Sequence, residues 1–569
     1  MTDLPWERPL GAFPEEGEMT SFRVWAPRAE GVAVRLGSQD HPLEAAGHGV
    51  FTGRLPAAAG DDYLLVLDGT DAWPDPFSRW QPHGVRGPSR ILDLGALRIA
   101  PGPGRPPAEL VIYELHVGTF TPGGTFAAAI EPLDRLRELG VTAIELMPVA
   151  TFPGARNWGY DGLYTYAPHP AYGGPQGLAE LVDGAHAAGL AVILDVVYNH
   201  LGPGGEALEA FGPFLTDRYG TPWGRAVNYD GPESGAVREW AVQNACQWTR
   251  DYRIDGLRLD AVHAVYDAGA RPLLAELCER VRAEAPGALL VAESDRNDPR
   301  TIRPAAEGGL GFDAQWADEF HHALHVLLTG ERDGYYADFG QVGQLAKAFG
   351  RPFVYDGGFS EERRRRHGAP AGDRAPHQFV VFAQNHDHVG NRALGDRLPE
   401  PALRLAAFCA LLSPFVPLLF MGEEYGERRP FQFFTDHVDP FIAEATREGR
   451  RREFAHFTGF GKDVPDPQDP ETFARSTLDP SAGDPALTAL YRELIALRAT
   501  LDPETAEAAA DEEARTLRVR RGDVDLLANF GAREARLATA GGEVLLSTHR
   551  VRLDDGAATL PALAGAAVR

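Results

Sequence analysis

The stretch GLRLDAVHAV, residues 256–265, begins as a buried β-strand and yet carries two opposite charges. Side chains two positions apart on a strand share a face, so Arg258 and Asp260 point one way while Leu257 and Leu259 point the other. In a strand of a closed barrel, leucines would pack against the outer helices and the charges would face the mouth. The stretch therefore predicts a barrel strand that ends in a polar site.

Apolar segments alternate with amphipathic helices from Leu110 onward, and this alternation predicts an α/β fold, a (β/α)8 TIM barrel. The candidate strands are VIYELHV, AIELMPV, AVILDVVYNH, GLRLDAV, LLVAESD, GFDAQWAD, QFVVFAQNH and VPLLFMGEE. Helices such as PLDRLRELG and LAELVDGAHAAGL lie between them, with Gly140 and Gly189 in capping positions. A doubly wound open sheet is the alternative fold.

Short β-rich segments flank the predicted barrel on both sides. SFRVWAP, VAVRL and DYLLVL predict an N-terminal β-sandwich over residues 1–100, and PGPGRPPAE follows as a linker. The barrel is expected at 106–500, with an insertion at 201–232 that is rich in Gly, Pro and aromatic residues and overhangs the active face. TLRVRR, VDLLANF and EVLLSTHRVRL predict a small C-terminal β-domain at 510–569.

Composition restricts the partners of the chain. The 569 residues include 44% hydrophobic and 24% charged residues, as in ordinary globular proteins. A net charge of −26 repels phosphate backbones and anionic lipids, so neither nucleic acid nor a membrane is expected as a partner. The N-terminus MTDLPWERPL lacks the basic and apolar regions of a secretory signal, which favours the cytoplasm.

Two other features favour a buried structural role over a functional one. The cysteines at 246, 278 and 409 are isolated, so we expect buried thiols and neither disulfides nor a metal cluster. The apolar run that starts at Leu405 is long enough to raise the question of a membrane span. Because Pro414 and Pro417 interrupt it, we interpret it as a buried helix, a turn and a strand.

Acidic residues collect at the carboxyl ends of four candidate strands. Asp195, Asp260, Glu293 and Asp387 each end or follow an apolar run, and Arg258 lies beside one of them. A single acid in such a place is usually a helix N-cap or an ion-pair partner. Four acids at one end of a barrel favour catalysis, and a pair of carboxyl groups in different environments suits glycoside hydrolysis.

The surrounding residues favour a neutral sugar as the substrate. NWGYDGLYTYAP interleaves aromatic rings with Asn, Gly and Asp, which favours an exposed loop and makes Tyr160 a candidate ligand contact. His200, His263 and His386 lie beside strand-end acids and could donate to sugar hydroxyls. Zinc binding is the alternative for these histidines, but the H-E-x-x-H spacing does not occur, so no metal site is expected.

Four of these segments together resemble a known superfamily. DVVYNH, GLRLDAVH, VAESD and QNHDHVGN are similar to the four conserved regions of the α-amylase superfamily of glycoside hydrolases, in the same order. The resemblance implies that Asp260 is the nucleophile, Glu293 the general acid/base and Asp387 the transition-state stabiliser. The residues that it places against the sugar at the cleavage point are Tyr160, His200, Arg258 and His386.

Further segments narrow the resemblance to the malto-oligosyltrehalose trehalohydrolases: ELHVGTFTPGGTF, AQWADEFHHALH, AESDRNDP and GEEYGERRPFQFFTDH. The similarity spans nearly the whole chain, including an N-terminal β-domain of the carbohydrate-binding-module type that branching and debranching enzymes share. It implies malto-oligosyltrehalose as substrate, cleavage of the α-1,4 bond next to the terminal trehalose, and action after a malto-oligosyltrehalose synthase without a stable complex. Asp318, His322 and Asn391 join His263 as candidate substrate contacts.

One departure from the superfamily concerns metal binding. Many α-amylases bind calcium through the Asn that corresponds to Asn199, but the insertion here is short and poor in acids. We therefore expect Asn199 to be structural and no metal or other cofactor to be required.

The first alternative function is a glycogen branching enzyme, or another α-1,4-glucan enzyme of the superfamily, although VAESD and FHHALH favour the trehalohydrolase. A catalytically silent glycan-binding barrel is the second, and the presence of all three acids argues against it.

Overall fold

A closed barrel of eight parallel strands lies at the centre of the chain in a computed structural model that describes residues 4–454, 464–504 and 506–569. The strands are β1 (Ile112–Leu115), β2 (Ala143–Leu146), β3 (Ala191–Val196), β4 (Gly256–Leu259), β5 (Leu289–Ala292), β6 (Ala314–Trp316), β7 (Phe379–Phe382) and β8 (Val416–Phe420). Each pairs with the next, and β8 pairs with β1, so no edge is left open. The predicted TIM barrel is confirmed with all eight segments, and the open-sheet alternative is wrong.

The two faces of β4 follow the alternation of its sequence. Leu257 and Leu259 are buried in the large apolar cluster outside the barrel, together with residues of the surrounding helices. A second cluster fills the barrel interior and includes Trp316. Arg258 points inward, and its guanidinium lies 4.3 Å from the centroid of the Trp316 ring. The face assignment made from the sequence is therefore confirmed.

Helices cover the outside of the barrel in most connections. Those that follow β1 to β4 are Val117–Phe120, Phe126–Ile130, Leu133–Leu139, Gly174–Ala187, Glu206–Phe211, Ser234–Arg250 and Leu273–Glu284. Those that follow β6 to β8 are Asp318–Thr329, Val342–Gly350, His386–Gly390, Glu400–Leu411, Pro440–Phe454, Pro470–Ser476 and Pro485–Arg498. The fully described link from β5 to β6 carries only the 3-10 turns Pro299–Thr301 and Ala305–Glu307.

The apolar run from Leu405 belongs to a helix and a barrel strand. The helix Glu400–Leu411 and strand β8 are both buried, and the turn between them holds Pro414. This interpretation of the run is confirmed. Across the described ranges, no helix combines the length and the apolarity needed to cross a bilayer. The three cysteines are buried and unpaired, as expected.

Two antiparallel sheets precede the barrel and form the predicted β-sandwich. The first consists of Gly11–Glu15, Met19–Trp25, Val50–Pro56 and Glu44–Gly47, in that spatial order. The second consists of Gln39–Pro42, Val32–Leu36, Asp62–Leu67 and Asp71–Trp73, and Ser89–Arg90 pairs with its third strand. Phe22 and Val24 from one sheet and Val34 and Leu65 from the other are buried in the shared core.

Two further sheets follow the barrel. One contains Glu507–Asp511, Thr516–Arg521, Val524–Asn529, Ala564–Val568 and Val544–Ser547, in that spatial order. The other contains Ala535–Ala538, Ala557–Leu560 and Arg552–Asp554. Their strands include the three segments recognised in the sequence, so the C-terminal β-fold is confirmed.

Candidate active site

The register of neighbouring barrel strands brings the acidic residues to one end of the barrel. Asp195 on β3 is the direct register partner of Arg258 on β4. Leu259 on β4 pairs in the same way with Ala292 on β5, so the next residues, Asp260 and Glu293, leave the barrel side by side. A cavity of about 500 Å³ opens at this end and is lined by Asp260, Glu293 and Asp387.

Arg258 is the cation that connects these acids. Its side chain is fully buried, and Nη1 donates to Asp195 Oδ2 at 2.7 Å and to Asp260 Oδ1 at 2.9 Å. Its Nη2 lies 3.7 Å from Glu293 Oε2. Burial alone would lower the pKa of Arg258, but the surrounding acids outweigh it and raise that pKa well above its ordinary value. The guanidinium therefore stays charged beneath the cavity.

The carboxylate of Asp260 is held from two sides. Arg258 donates to Oδ1, and Asn199 Nδ2 donates to Oδ2 at 2.7 Å and to the Asp260 carbonyl oxygen at 2.9 Å. Asn199 is buried, and its predicted structural role takes a definite form here, because it fixes the orientation of the acid. Both carboxylate oxygens of Asp260 are thus bonded, and the side chain remains 11% exposed to the cavity.

Glu293 lies in an environment that favours its protonated form. Burial is the largest influence on the pKa of Glu293, and the charges of Asp260, Asp318 and Asp387 add to it while Arg258 opposes it. The net effect raises this pKa well above 4.5. A carboxylic acid with a raised pKa can donate a proton at neutral pH.

The backbone between β4 and β5 turns sharply toward Glu293. Ala261 adopts φ 40° and ψ 50°, a left-handed conformation that is rare for a residue with a Cβ. In this conformation its N–H donates to Glu293 Oε2 at 2.6 Å. The turn that follows Asp260 therefore also positions the second acid.

His386 lies beneath the cavity and is held there by Glu114, which is 272 positions away in the sequence. Glu114 accepts hydrogen bonds from the His386 backbone N–H at 2.8 Å and from its Nδ1. Burial opposes a charged ring, but Asp387 and Glu114 outweigh it and raise the pKa of His386 to about 9. At neutral pH the ring is therefore an imidazolium.

Asp387 follows His386 and is the most exposed of the three predicted catalytic acids, with a side-chain exposure of 37%. Burial would raise its pKa, but His386, Arg258 and His388 outweigh that effect, so the pKa of Asp387 lies below its ordinary value. Asn391 Nδ2 donates to Asp387 Oδ1 at 2.9 Å. The acid is therefore ionised and oriented at neutral pH, which suits a group that accepts hydrogen bonds from a sugar.

The floor of the cavity consists of Arg258, Asp195, Tyr160 and His386, which contact one another in that order. The Tyr160 hydroxyl lies 2.6 Å from Asp195 Oδ2 and 2.7 Å from His386 Nε2, and the Tyr160 ring stacks on His386. Burial raises the pKa of Asp195 to about 7, although the charge of Arg258 opposes this. The sequence indicated Asp195 as a strand-end acid, and the structure adds that it contacts both Arg258 and Tyr160.

Both ring nitrogens of His200 contact other atoms of the protein. Its Nε2 lies 3.0 Å from the Tyr160 carbonyl oxygen, and its Nδ1 contacts Asn199 Oδ1. The indole of Trp223, half exposed, stacks on the His200 ring at 4.8 Å. Trp223 lies in the hairpin Leu215–Thr221 and Gly224–Val227 of the predicted insertion, which is more regular than the sequence suggested and lines the cavity.

The other predicted contacts also reach the cavity. Its lining includes Tyr160, His200, His263, Asp318, His322 and Asn391, whereas Arg258 and His386 lie directly beneath it. Sequence reasoning missed several lining residues: Trp158, Trp223, Asp295, Tyr335, Arg363, His388 and Phe433. Trp158, Asp295, His388 and Phe433 lie inside recognised motifs and could have been included. Trp223, Tyr335 and Arg363 lie outside those motifs. In the described parts of the chain, no three His, Cys, Asp or Glu side chains are grouped to hold a metal ion.

Comparisons with known proteins show which families this chain is similar to. The family profile of the alpha amylase catalytic domain matches residues 72–211. A malto-oligosyltrehalose trehalohydrolase of Rhizobium sp. (strain M-11) is 47% identical over 96% of this chain and 97% of its own. A 1,4-alpha-glucan branching enzyme of Corynebacterium jeikeium is 29% identical over 74% of this chain and 62% of its own. A solved structure from Salmonella typhimurium, whose name places it among the α-amylases, is 38% identical to this chain and has a TM-score of 0.90. The match covers 98% of this chain and 99% of that one.

Proposed function

Because the chain belongs to the malto-oligosyltrehalose trehalohydrolases, a glycosidase family within the α-amylases, we propose that it releases trehalose from malto-oligosyltrehalose. The bond cleaved is the α-1,4 bond next to the terminal trehalose unit. The observation that carries this proposal is the arrangement of Asp260, Glu293 and Asp387 around one cavity, with two of them against the same guanidinium.

In the first step, Asp260 attacks the anomeric carbon of the glucosyl unit that precedes trehalose. The bond from that carbon to the trehalose oxygen breaks, and Glu293 gives its proton to this oxygen. A β-glycosyl ester on Asp260 and free trehalose result. The raised pKa of Glu293 supports its role as the acid, and the double grip of Arg258 and Asn199 on Asp260 supports its role as the nucleophile.

In the second step, water attacks the same anomeric carbon and Glu293, now ionised, takes a proton from it. The ester bond to Asp260 breaks, so the malto-oligosaccharide leaves with the α-configuration that it had in the substrate. Two carboxyl groups within reach of one guanidinium are close together, which supports retention rather than inversion.

Asp387 and the cavity floor act on the sugar ring that reacts. We assign Asp387 to hydrogen bonds with ring hydroxyls, because it is ionised, oriented by Asn391 and open to the cavity. Tyr160 lies between Asp195 and His386 and offers its ring to a bound sugar. A rigid and charged floor of this kind stabilises an oxocarbenium-like transition state more than the substrate.

The cellular setting remains part of the proposal. We place the enzyme in the cytoplasm, after a malto-oligosyltrehalose synthase and without a stable complex between the two. The acidic surface, with a net charge of −26, supports a neutral oligosaccharide as substrate.

Incubation with maltotriosyltrehalose tests the proposal directly. We expect free trehalose and maltotriose, with α-maltotriose appearing first when the anomers are followed by NMR. The variant Asp260→Asn should release neither product while keeping the unfolding temperature of the wild type. Absence of trehalose with the wild type, or α-1,6 branches formed on amylose, would contradict the proposal and favour the branching enzyme.

A further inference from the structure

His388 is a cavity residue whose ring nitrogens make no contact in the mechanism above. It lines the cavity, and its side chain is only 9% exposed. Neither ring nitrogen has a hydrogen-bond partner among the residues that the structure describes. Burying polar atoms without partners is costly, so a position of this kind suits a group whose partner arrives with the ligand.

The ring of His388 is also held in place. It stacks on His321 with a centroid distance of 3.9 Å and an interplanar angle of 5°. His321 is itself fixed, because Nδ1 bonds the Ala383 carbonyl oxygen at 2.8 Å and Nε2 bonds the Tyr336 hydroxyl at 2.8 Å. The nitrogens of His388 therefore occupy defined positions before any ligand binds, which lowers the entropic cost of binding.

Asp318 and His322 lie beside His388, and these three side chains form a polar wall of the cavity. Asp318 Oδ1 lies 3.9 Å from His388 Nε2, which is too long for a hydrogen bond. His322 lines the same cavity, and its Nδ1 is buried without a partner in the described ranges. Burial lowers the pKa of His322 well below 6.5, so its neutral ring offers one donor and one acceptor. The wall can thus both donate to and accept from sugar hydroxyls.

In the order of the barrel strands, the wall lies next to the acid that protonates the leaving oxygen. The acid that protonates the leaving oxygen, Glu293, follows β5, and the wall residues follow β6 and β7, the next strands round the barrel. Asp318 and Glu293 line the same cavity, and the charge of Asp318 contributes to the raised pKa of Glu293.

We propose that Asp318, His322 and His388 bind the leaving trehalose, and that His388 is a specificity-determining residue that hydrogen-bonds its hydroxyls. This inference rests on the proposed function. The 1,1-linkage turns the second glucose so that its hydroxyls lie elsewhere than in a 1,4-linked chain. A fixed set of donors and acceptors discriminates strongly between such arrangements, because the wrong ligand leaves buried polar atoms unpaired.

The variant His388→Phe tests this assignment, since phenylalanine keeps a ring on His321 and removes both nitrogens. Two substrates should be compared: maltotriosyltrehalose, and α-maltotriosyl fluoride, whose leaving group is fluoride and does not reach the wall. We expect kcat/KM on maltotriosyltrehalose to fall about 10- to 100-fold. On the fluoride it should change by less than about threefold, because His386 and Arg258, which lower the pKa of Asp387 more than His388 does, remain in place. Inhibition by free trehalose should weaken in parallel with the loss on maltotriosyltrehalose.

The matched control is His377→Phe, the same replacement just before β7, at the opposite end of that strand from His388. It should leave both substrates unaffected. A wild type that releases trehalose together with a His388→Phe variant that loses both activities equally, or neither, would overturn the inference and leave the proposed function standing. A wild type that cleaves the fluoride but not maltotriosyltrehalose would overturn both.

Discussion

Glu145 on β2 offers a quantitative test of the electrostatics inside the barrel. Its side chain is fully buried, and neither carboxylate oxygen has a hydrogen-bond partner in the described part of the chain. Burial raises the pKa of Glu145 well above 4.5, and the charges of Glu114 and Asp195 add to this while Arg258 opposes it. Glu114 is its direct register partner on β1. Folding therefore favours the protonated form of Glu145.

The free energy of that protonation follows from linkage. An unfolded glutamate has a pKa near 4.3. If the folded protein keeps the proton, the free energy of unfolding falls by about 1.4 kcal/mol for each pH unit above that value. At pH 7.5 the penalty is up to roughly 4 kcal/mol, whereas near pH 4.5 it nearly vanishes. Because the folded pKa is the raised one, stability falls as pH rises above the unfolded pKa. Replacement by neutral glutamine removes this dependence.

We therefore expect Glu145→Gln to be more stable than the wild type at pH 7.5 and equally stable at pH 4.5. With an unfolding entropy of about 2.1 cal/mol/K per residue, 4 kcal/mol corresponds to roughly 3 °C in Tm for a chain of this size. Thermal unfolding followed by circular dichroism at both pH values, at one scan rate, measures the difference. The control is Glu279→Gln, an exposed glutamate paired with Arg271. An unchanged or lower Tm at pH 7.5, or a gain that is the same at both pH values, would refute the reasoning.

Three other variants test the contacts that hold the site. Asn199→Ala removes a hydrogen bond to the Asp260 carboxylate, so kcat should fall about 10- to 100-fold with little change in KM, and an unchanged kcat would contradict the role of Asn199. The pKa of His386 is raised to about 9 by Asp387 and Glu114, and Glu114→Gln removes the second of these charges. The loss of stability should therefore be greatest below about pH 6.5 and shrink as pH rises through 9, whereas a loss that does not vary with pH would show that only packing was affected. Trp223→Ala removes an exposed aromatic ring at the cavity rim and should raise KM about 2- to 10-fold with kcat nearly unchanged, which steady-state kinetics on maltotriosyltrehalose would show.

The barrel could be predicted from the sequence because its signals are local. Apolar runs of strand length alternate with amphipathic helices, and β4 shows its two faces by simple alternation. The ends of those runs also marked Asp260, Glu293 and Asp387, since the carboxyl ends of parallel strands meet in a barrel. The link between β5 and β6 was not foreseen as an exception, because no local pattern shows that a helix will be replaced by two 3-10 turns.

The sequence by itself determined the strands, the face of β4 and the positions of the acids along the chain, because periodicity and strand ends are properties of neighbouring residues. Tertiary structure alone decided the electrostatic environment of those acids. Glu114 meets His386 from 272 positions away, and Asn199 meets Asp260 from 61 positions away. Burial and charge, which set the pKa of Glu293, depend on such distant neighbours rather than on the residues beside it in the chain.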